Sequence, residues 1–163
     1  MSLTYIGLGS NLSDPQAQIC SALDKLKQLE RCKVTQVSSL YFSRPMGPQD
    51  QPDYMNAVIA LETNLSAIEL LEQLQSIENN AGRVRKDNRW GARVLDLDIL
   101  LFDQQIINTE RLTIPHYGLK SREFVLLPLA EIAPNLVLPD CDSIQELANQ
   151  IDHNGLKIHS KLS

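Results

Sequence analysis

The sequence predicts an α+β domain with a ferredoxin-like split βαβ core, β-α-β-β-α-β, and additional C-terminal strands and helices. Three observations lead there. Residues 3–8, 33–41, 54–62 and 94–102 have strand length and strand-forming composition. Two intervening segments carry apolar residues at helical spacing behind recognisable start signals. No repeat, low-complexity tract or linker divides the 163 residues, so one domain over 1–163 is expected.

Taken in order, LTYIGL (3–8) is a first strand ended by Gly9-Ser10-Asn11. Asp14 is placed to cap a helix with Pro15 at its first position, and Ile19, Leu23, Leu26 and Leu29 give its apolar stripe. KVTQVSSLY (33–41) is a second strand by β-branched content, followed by a Pro- and Gly-marked loop over 42–53. YMNAVIALE (54–62) is a third strand. Ser66 and Glu69 then form a capping box for a helix through Leu70, Leu71, Leu74 and Ile77, which Gly82 can end. VLDLDILLF (94–102) is a strong strand. Beyond it the pattern gives a turn at 103–105, a helix from near Ser121 with a bend or break at Pro128, and a short helix over Ser143–Ile151. Helices should cover one face of the sheet, leaving the other to later elements.

Composition narrows the class. Fifteen Lys and Arg against 20 Asp and Glu give a net charge of −5. Residues 83–93 nevertheless hold five cations and the single acid Asp87, so this stretch carries +4 against −9 elsewhere. A nucleic-acid coat would be basic overall, and one confined basic segment points instead to a local anion site. The longest apolar run, 57–61, is far short of a membrane span, and the N-terminus lacks a signal or transit pattern. Three cysteines without C-x-x-C spacing argue against a disulfide framework or zinc site and for reduced thiols in a cytoplasmic protein.

Chemistry concentrates in a few places. Asp96 and Asp98 lie two apart within an apolar strand, so both carboxylates face one side, with Cα atoms ~7 Å apart. Such a pair either binds a cation such as Mg²⁺ together with phosphate oxygens, or sits on a wet face beside arginines. Arg83, Arg85, Lys86, Arg89 and Arg93 suit phosphate recognition or a solvated surface, and Trp90 among them suits stacking on a planar ligand. Gly7-Leu8-Gly9 after a strand is a weak dinucleotide signal without its third glycine, and no P-loop motif is present. His116 has a structured context, whereas His153 and His159 fall in a polar tail and are expected to be bystanders.

The chain resembles the 6-hydroxymethyl-7,8-dihydropterin pyrophosphokinase family in six motifs that occur in the expected order. They are Gly9-Ser10-Asn11-Leu12, Gly47-Pro48-Gln49-Asp50-Gln51-Pro52, Gly82-Arg83-Val84-Arg85, Arg89-Trp90-Gly91-Ala92-Arg93, Leu95-Asp96-Leu97-Asp98-Ile99 and Pro115-His116. The resemblance covers roughly residues 3–140. It implies a diphosphate transfer from ATP to the pterin hydroxymethyl group with release of AMP. It also implies two Mg²⁺ ions on Asp96 and Asp98, and Arg83 and Arg93 as catalytic arginines on the transferring phosphates. Gln75, Glu78, Arg85, Arg93, Ile99, Arg111, Thr113, His116, Tyr117 and Arg122 would surround ATP. Ser43, Pro45, Met46, Gly47, Tyr54, Asn56, Trp90 and Phe124 would form the pterin pocket. Tyr54 and Phe124 suit a sandwich around a flat ring, and Asn56 offers it both a donor and an acceptor. MgATP binding first, then closure of loops 44–53 and 83–93, is the implied order. Two departures concern loop rigidity: Ser43-Arg44-Pro45 stands where Thr-Pro-Pro is frequent, and Ala92 where proline is frequent.

The expected partners are ATP and the reduced pterin, with neither nucleic acid nor membrane, for a monomeric enzyme. Two other classes share some of these features. A metal-dependent phosphodiesterase or nuclease could use paired aspartates and arginines. An RNA-binding module could share the layout and use Trp90, although the net charge speaks against it.

Overall fold

A computed structural model describes residues 1–10, 14–43, 54–81 and 95–162, with Ser43 as backbone only. The strands are β1 (Ser2–Ser10), β2 (Cys32–Val37), β3 (Ser39–Ser43), β4 (Tyr54–Thr63), β5 (Asp96–Phe102), β6 (Ile107–Asn108), β7 (Thr113–Ile114) and β8 (Lys157–Lys161). The helices are α1 (Pro15–Lys27), α2 (Ala67–Asn80), α3 (Glu123–Ile132) and α4 (Ile144–Gln150). The main sheet is antiparallel in the order β5-β1-β4-β3-β8, with β2 also paired to β4, and β6 and β7 form a separate hairpin.

Alternation along the strands divides the core into two layers. Ile6, Leu8, Ala57, Ile59, Leu61, Leu97 and Ile99 pack on one face with Ile19, Leu23 and Leu26 of α1 and Leu70, Leu74 and Ile77 of α2. Tyr5, Val58, Ala60, Leu100 and Leu101 pack on the other with Val125, Leu126 and Leu129 of α3 and Ile144 of α4. Burying each large aliphatic side chain contributes about 1.5–3 kcal/mol, so both layers are needed to hold the sheet. The predicted helix starts are both present. Asp14 accepts from Ala17 N–H ahead of Pro15, and Ser66 and Glu69 make the reciprocal capping bonds. Gly82, the expected helix stop, lies outside the described residues.

Three elements depart from the sequence reading. The strand expected over 33–41 is two strands, interrupted at buried Ser38. Its N–H donates to Val58 O, and its hydroxyl accepts from Val58 N–H while donating to Ser39 O. A hydroxyl that satisfies neighbouring backbone breaks the ladder without exposing unpaired groups. Pro128 does not end a helix but lies inside α3, where only one intrahelical donor is lost and the apolar face stays buried. The polar C-terminal tail becomes strand β8, paired to β3 through Leu40–Ser160, Tyr41–Ile158 and Phe42–Lys157.

The α3 layer is tied to β3 by one carboxylate. Glu131 accepts from Ser39 N–H (2.9 Å), Ser39 hydroxyl (2.7 Å) and Tyr41 phenol (2.8 Å). Burial, the hydrogen bond and the nearby charge push the Tyr41 phenol well above its usual range, so it stays a donor at any physiological pH. Removing that donor with Tyr41→Phe is expected to cost about 1.5 kcal/mol, typical for a hydrogen bond to a charged group. Urea unfolding measures it, and an unchanged midpoint would show that this tie does not hold α3 to the sheet.

Candidate active site

Among the described residues, α3 and α4 cover only part of their face of the sheet, and beside them lies a cleft of about 680 Å³. Its floor is β1, where Gly7 and Gly9 face the cleft without side chains. Strand register sets Gly7 opposite Asp98 and Gly9 opposite Asp96 on one side, and Gly9 opposite Asn56 on the other. The two carboxylates of β5 and the amide of β4 therefore look across a cleared strip. A Cβ on Gly9 would lie 3.0 Å from Asn56 Oδ1, so glycine there is what lets the amide lean over β1. Tyr54, two residues before Asn56, shares the cleft, and Arg122 and Phe124 enter from the start of α3.

As expected, Asp96 and Asp98 share a face. Both line the cleft, while Leu97 and Ile99 between and after them are buried on the opposite side. The Asp98 side chain is half exposed (50%), so its charge costs little desolvation. Leu97 N–H, between the two aspartates, donates to Glu78 Oε2 at 2.8 Å. Glu78 is buried on α2, and this bond fixes the backbone from which both carboxylates project.

His116 stands beside this pair. Its Nε2 is 3.9 Å from Asp98 Oδ2, and its backbone N–H donates to Leu100 O at 3.0 Å. Leu100 is the extra residue where the β1–β5 register shifts. Gly118 N–H donates to His116 Nδ1, so the neutral ring carries its proton on Nε2, towards Asp98. Burial lowers the His116 pKa below the usual histidine value. Asp98 opposes that shift and the Arg122 charge adds to it. At neutral pH the pair is thus an uncharged imidazole donor beside a carboxylate rather than an ion pair. Tyr117 stacks on His116 with centroids 4.5 Å apart, and Arg122 lies over Tyr117 (5.1 Å) and Phe124 (5.8 Å) while donating to the Tyr117 hydroxyl at 3.3 Å. The bare Gly118 makes room for that guanidinium, since a Cβ would meet Arg122 Nε at 2.5 Å.

The structure brings Tyr54, Asn56, Asp96, Asp98, Arg122 and Phe124 together in the cleft. His116 and Tyr117 flank it through their contacts with Asp98 and Arg122. The remaining described candidates lie apart from its lining. Gln75 is exposed on α2, Thr113 is exposed on β7, and Arg111 faces Glu72 across 3.7 Å at the surface. The Ile99 side chain is buried in the α1–α2 layer. Arg83, Arg85, Trp90, Arg93, Pro45, Met46 and Gly47 lie outside the described residues, as does the Ser43 side chain. Several lining residues were not assigned from the sequence, Gly7, Gly9, Ser121, Glu123 and Asn154 among them. Gly7 and Gly9, set aside as a weak dinucleotide signal, are spaced to bare one face of a strand. Asn154, in the tail, also lines the cleft.

A family model described as 7,8-dihydro-6-hydroxymethylpterin-pyrophosphokinase matches residues 5–134. A Haemophilus influenzae protein named 2-amino-4-hydroxy-6-hydroxymethyldihydropteridine pyrophosphokinase is 54% identical over 160 residues, covering 98% of this chain and 99% of the relative. A Pseudomonas aeruginosa protein of the same name is 50% identical over 153 residues, covering 94% of each chain. Among solved structures, the Plasmodium falciparum HPPK-DHPS chain superposes with a TM-score of 0.73 at 15% identity. That match covers 91% of this chain and 44% of the solved one, and it bears on the fold alone.

Proposed function

The chain belongs to the 7,8-dihydro-6-hydroxymethylpterin-pyrophosphokinase family, and from that premise we propose how its cleft performs the transfer. The protein is an ATP-using pyrophosphokinase of folate biosynthesis that moves a pyrophosphoryl group onto 6-hydroxymethyl-7,8-dihydropterin. ATP that gives up its two outer phosphates in one unit leaves AMP. One observation carries the assignment of the site: paired carboxylates on β5 face an amide and aromatic rings across a glycine floor. Phosphate chemistry and heterocycle recognition are then one strand apart.

The pterin lies over β1 and β4, between Tyr54 and Phe124, with Asn56 on its hydrogen-bonding edge. ATP lies on the β5 side, beside His116, Tyr117 and Arg122, and continues past the β5 edge of the sheet towards Gln75, Arg111 and Thr113, over the backbone that carries Glu78 and Ile99. There the neutral His116 offers Nε2–H to a phosphate oxygen, and Arg122 offers charge. Arg83, Arg85 and Arg93 complete the phosphate contacts, and Ser43, Pro45, Met46, Gly47 and Trp90 complete the pterin pocket. Positioning of this kind aligns the hydroxymethyl oxygen with the β-phosphorus and accounts for much of the rate in phosphoryl chemistry.

Asp96 and Asp98 supply hard oxygen donors, and no cluster of three or more His, Cys, Asp or Glu suited to a metal occurs among the described residues. That donor set fits Mg²⁺, which takes one or two carboxylates and completes its shell with water and phosphate. We assign two Mg²⁺ ions to these residues. When bound, they neutralise charge on the phosphates undergoing transfer. No helix among the described residues is long and apolar enough to cross a membrane. A single domain acting as a cytoplasmic monomer completes the reading.

The test supplies ATP, Mg²⁺ and reduced pterin and follows nucleotide products. AMP should appear only when pterin is present. ADP as the product would overturn pyrophosphoryl transfer.

A further inference from the structure

We propose that Asn154, in the turn leading into β8, is a substrate-contacting residue that hydrogen-bonds the outer end of the pterin through its carboxamide. The inference rests on the cleft reading above. Among the described residues after α4, Asn154 is the one that lines the cleft, alongside Tyr54 and Phe124. Sheet order decides which end of the ligands it meets. β5, with both aspartates, and β8 form opposite edges of the sheet. A group arriving from the β8 edge therefore meets the part of the ligand farthest from the phosphates, which is the heterocycle.

The chain holds the backbone of that turn in place. Pairing of Phe42 with Lys157 sets the turn beyond the end of β3 that carries Ser43, and Ser43 pairs with Tyr54 on β4. Asn154 N–H donates to Asp152 Oδ1 at 2.8 Å, and Leu156 N–H donates to His153 O at 2.9 Å. Leu156 is buried and anchors the turn. Asn154 has φ 50° and Gly155 has φ 78°, a left-handed pair that asparagine and glycine tolerate. A carboxamide offers donors and an acceptor together, as the mixed hydrogen-bonding edge of a pterin requires. The pterin would thus be read by two amides, Asn56 at the floor and Asn154 at the rim.

Asn154→Gly removes the carboxamide and keeps the left-handed backbone, while Asn154→Asp keeps the size and exchanges amide donors for acceptors. In steady-state assays of AMP formation, Asn154→Gly should raise KM for the pterin about tenfold, the loss of roughly one good hydrogen bond. KM for ATP and the unfolding temperature should stay at wild-type values, and Asn154→Asp should be at least as impaired for the pterin. A pterin KM within twofold of wild type in Asn154→Gly, or an equal rise in KM for ATP, would overturn the proposal while the wild-type enzyme remains active. A wild-type protein that forms no pterin-dependent AMP would overturn the cleft reading and this inference together.

Discussion

Replacing Asp96 or Asp98 with alanine is expected to lower pterin-dependent AMP formation by roughly a thousandfold or more, about 4 kcal/mol of lost transition-state stabilisation. The expectation follows from what the rest of the site can supply. His116 is held neutral by burial, so it offers a hydrogen bond rather than a full charge. Arginines can neutralise a polyphosphate but cannot coordinate it together with a divalent cation. The two carboxylates are therefore the groups on which a metal would depend. Folding should not suffer, because Asp98 is half exposed and both side chains border an open cleft rather than the core. Two measurements separate chemistry from stability: thermal unfolding of each variant, and wild-type turnover against Mg²⁺ with chelator controls. Chelation should abolish wild-type activity, and added Mg²⁺ should restore it. An alanine variant that keeps wild-type turnover with Mg²⁺ would remove the metal assignment from that residue.

The aspartate pair was legible in the sequence because its signal is local. Two carboxylates two apart in an apolar strand must share a face, and the strand itself is unmistakable from its composition. The helix starts were legible for the same reason, since Asp14–Pro15 and Ser66–Glu69 state their geometry within four residues. What escaped depends on contacts between distant segments. Ser38 looks like one more residue of a β-rich run, and only Val58 across the sheet turns it into a break. Residues 157–161 read as a polar tail, and they become a strand because β3 offers an edge. The glycines show a subtler limit. Gly7 and Gly9 have spacing that bares one face of a strand, yet the purpose of that bare face appears only when register sets Asp96 and Asn56 on either side.

That register also makes Asn56 the residue whose loss should be felt most on the pterin side. Asn56 is 7% exposed, and its Nδ2 has no hydrogen-bond partner among the described residues. A buried donor left unpaired costs about 1–3 kcal/mol, and a ligand that accepts from it recovers that cost on binding. The same amide therefore trades a little stability of the empty protein for affinity. Asn56→Ala should raise KM for the pterin about a hundredfold, because a site built to hydrogen-bond a heterocycle loses both the bond and the match to its edge. KM for ATP should change little, since the nucleotide is assigned to the β5 side. Stability should fall less than for an ordinary buried truncation, because the variant also removes an unsatisfied donor. Asn56→Asp makes the sharper comparison. It keeps shape and volume but replaces the donor with an acceptor, so it should bind pterin no better than alanine does. Steady-state kinetics with each substrate varied, beside urea unfolding, reads all three effects. If Asn56→Asp binds the pterin as tightly as wild type, the amide donor is not what the pterin engages, and the heterocycle must lie elsewhere in the cleft.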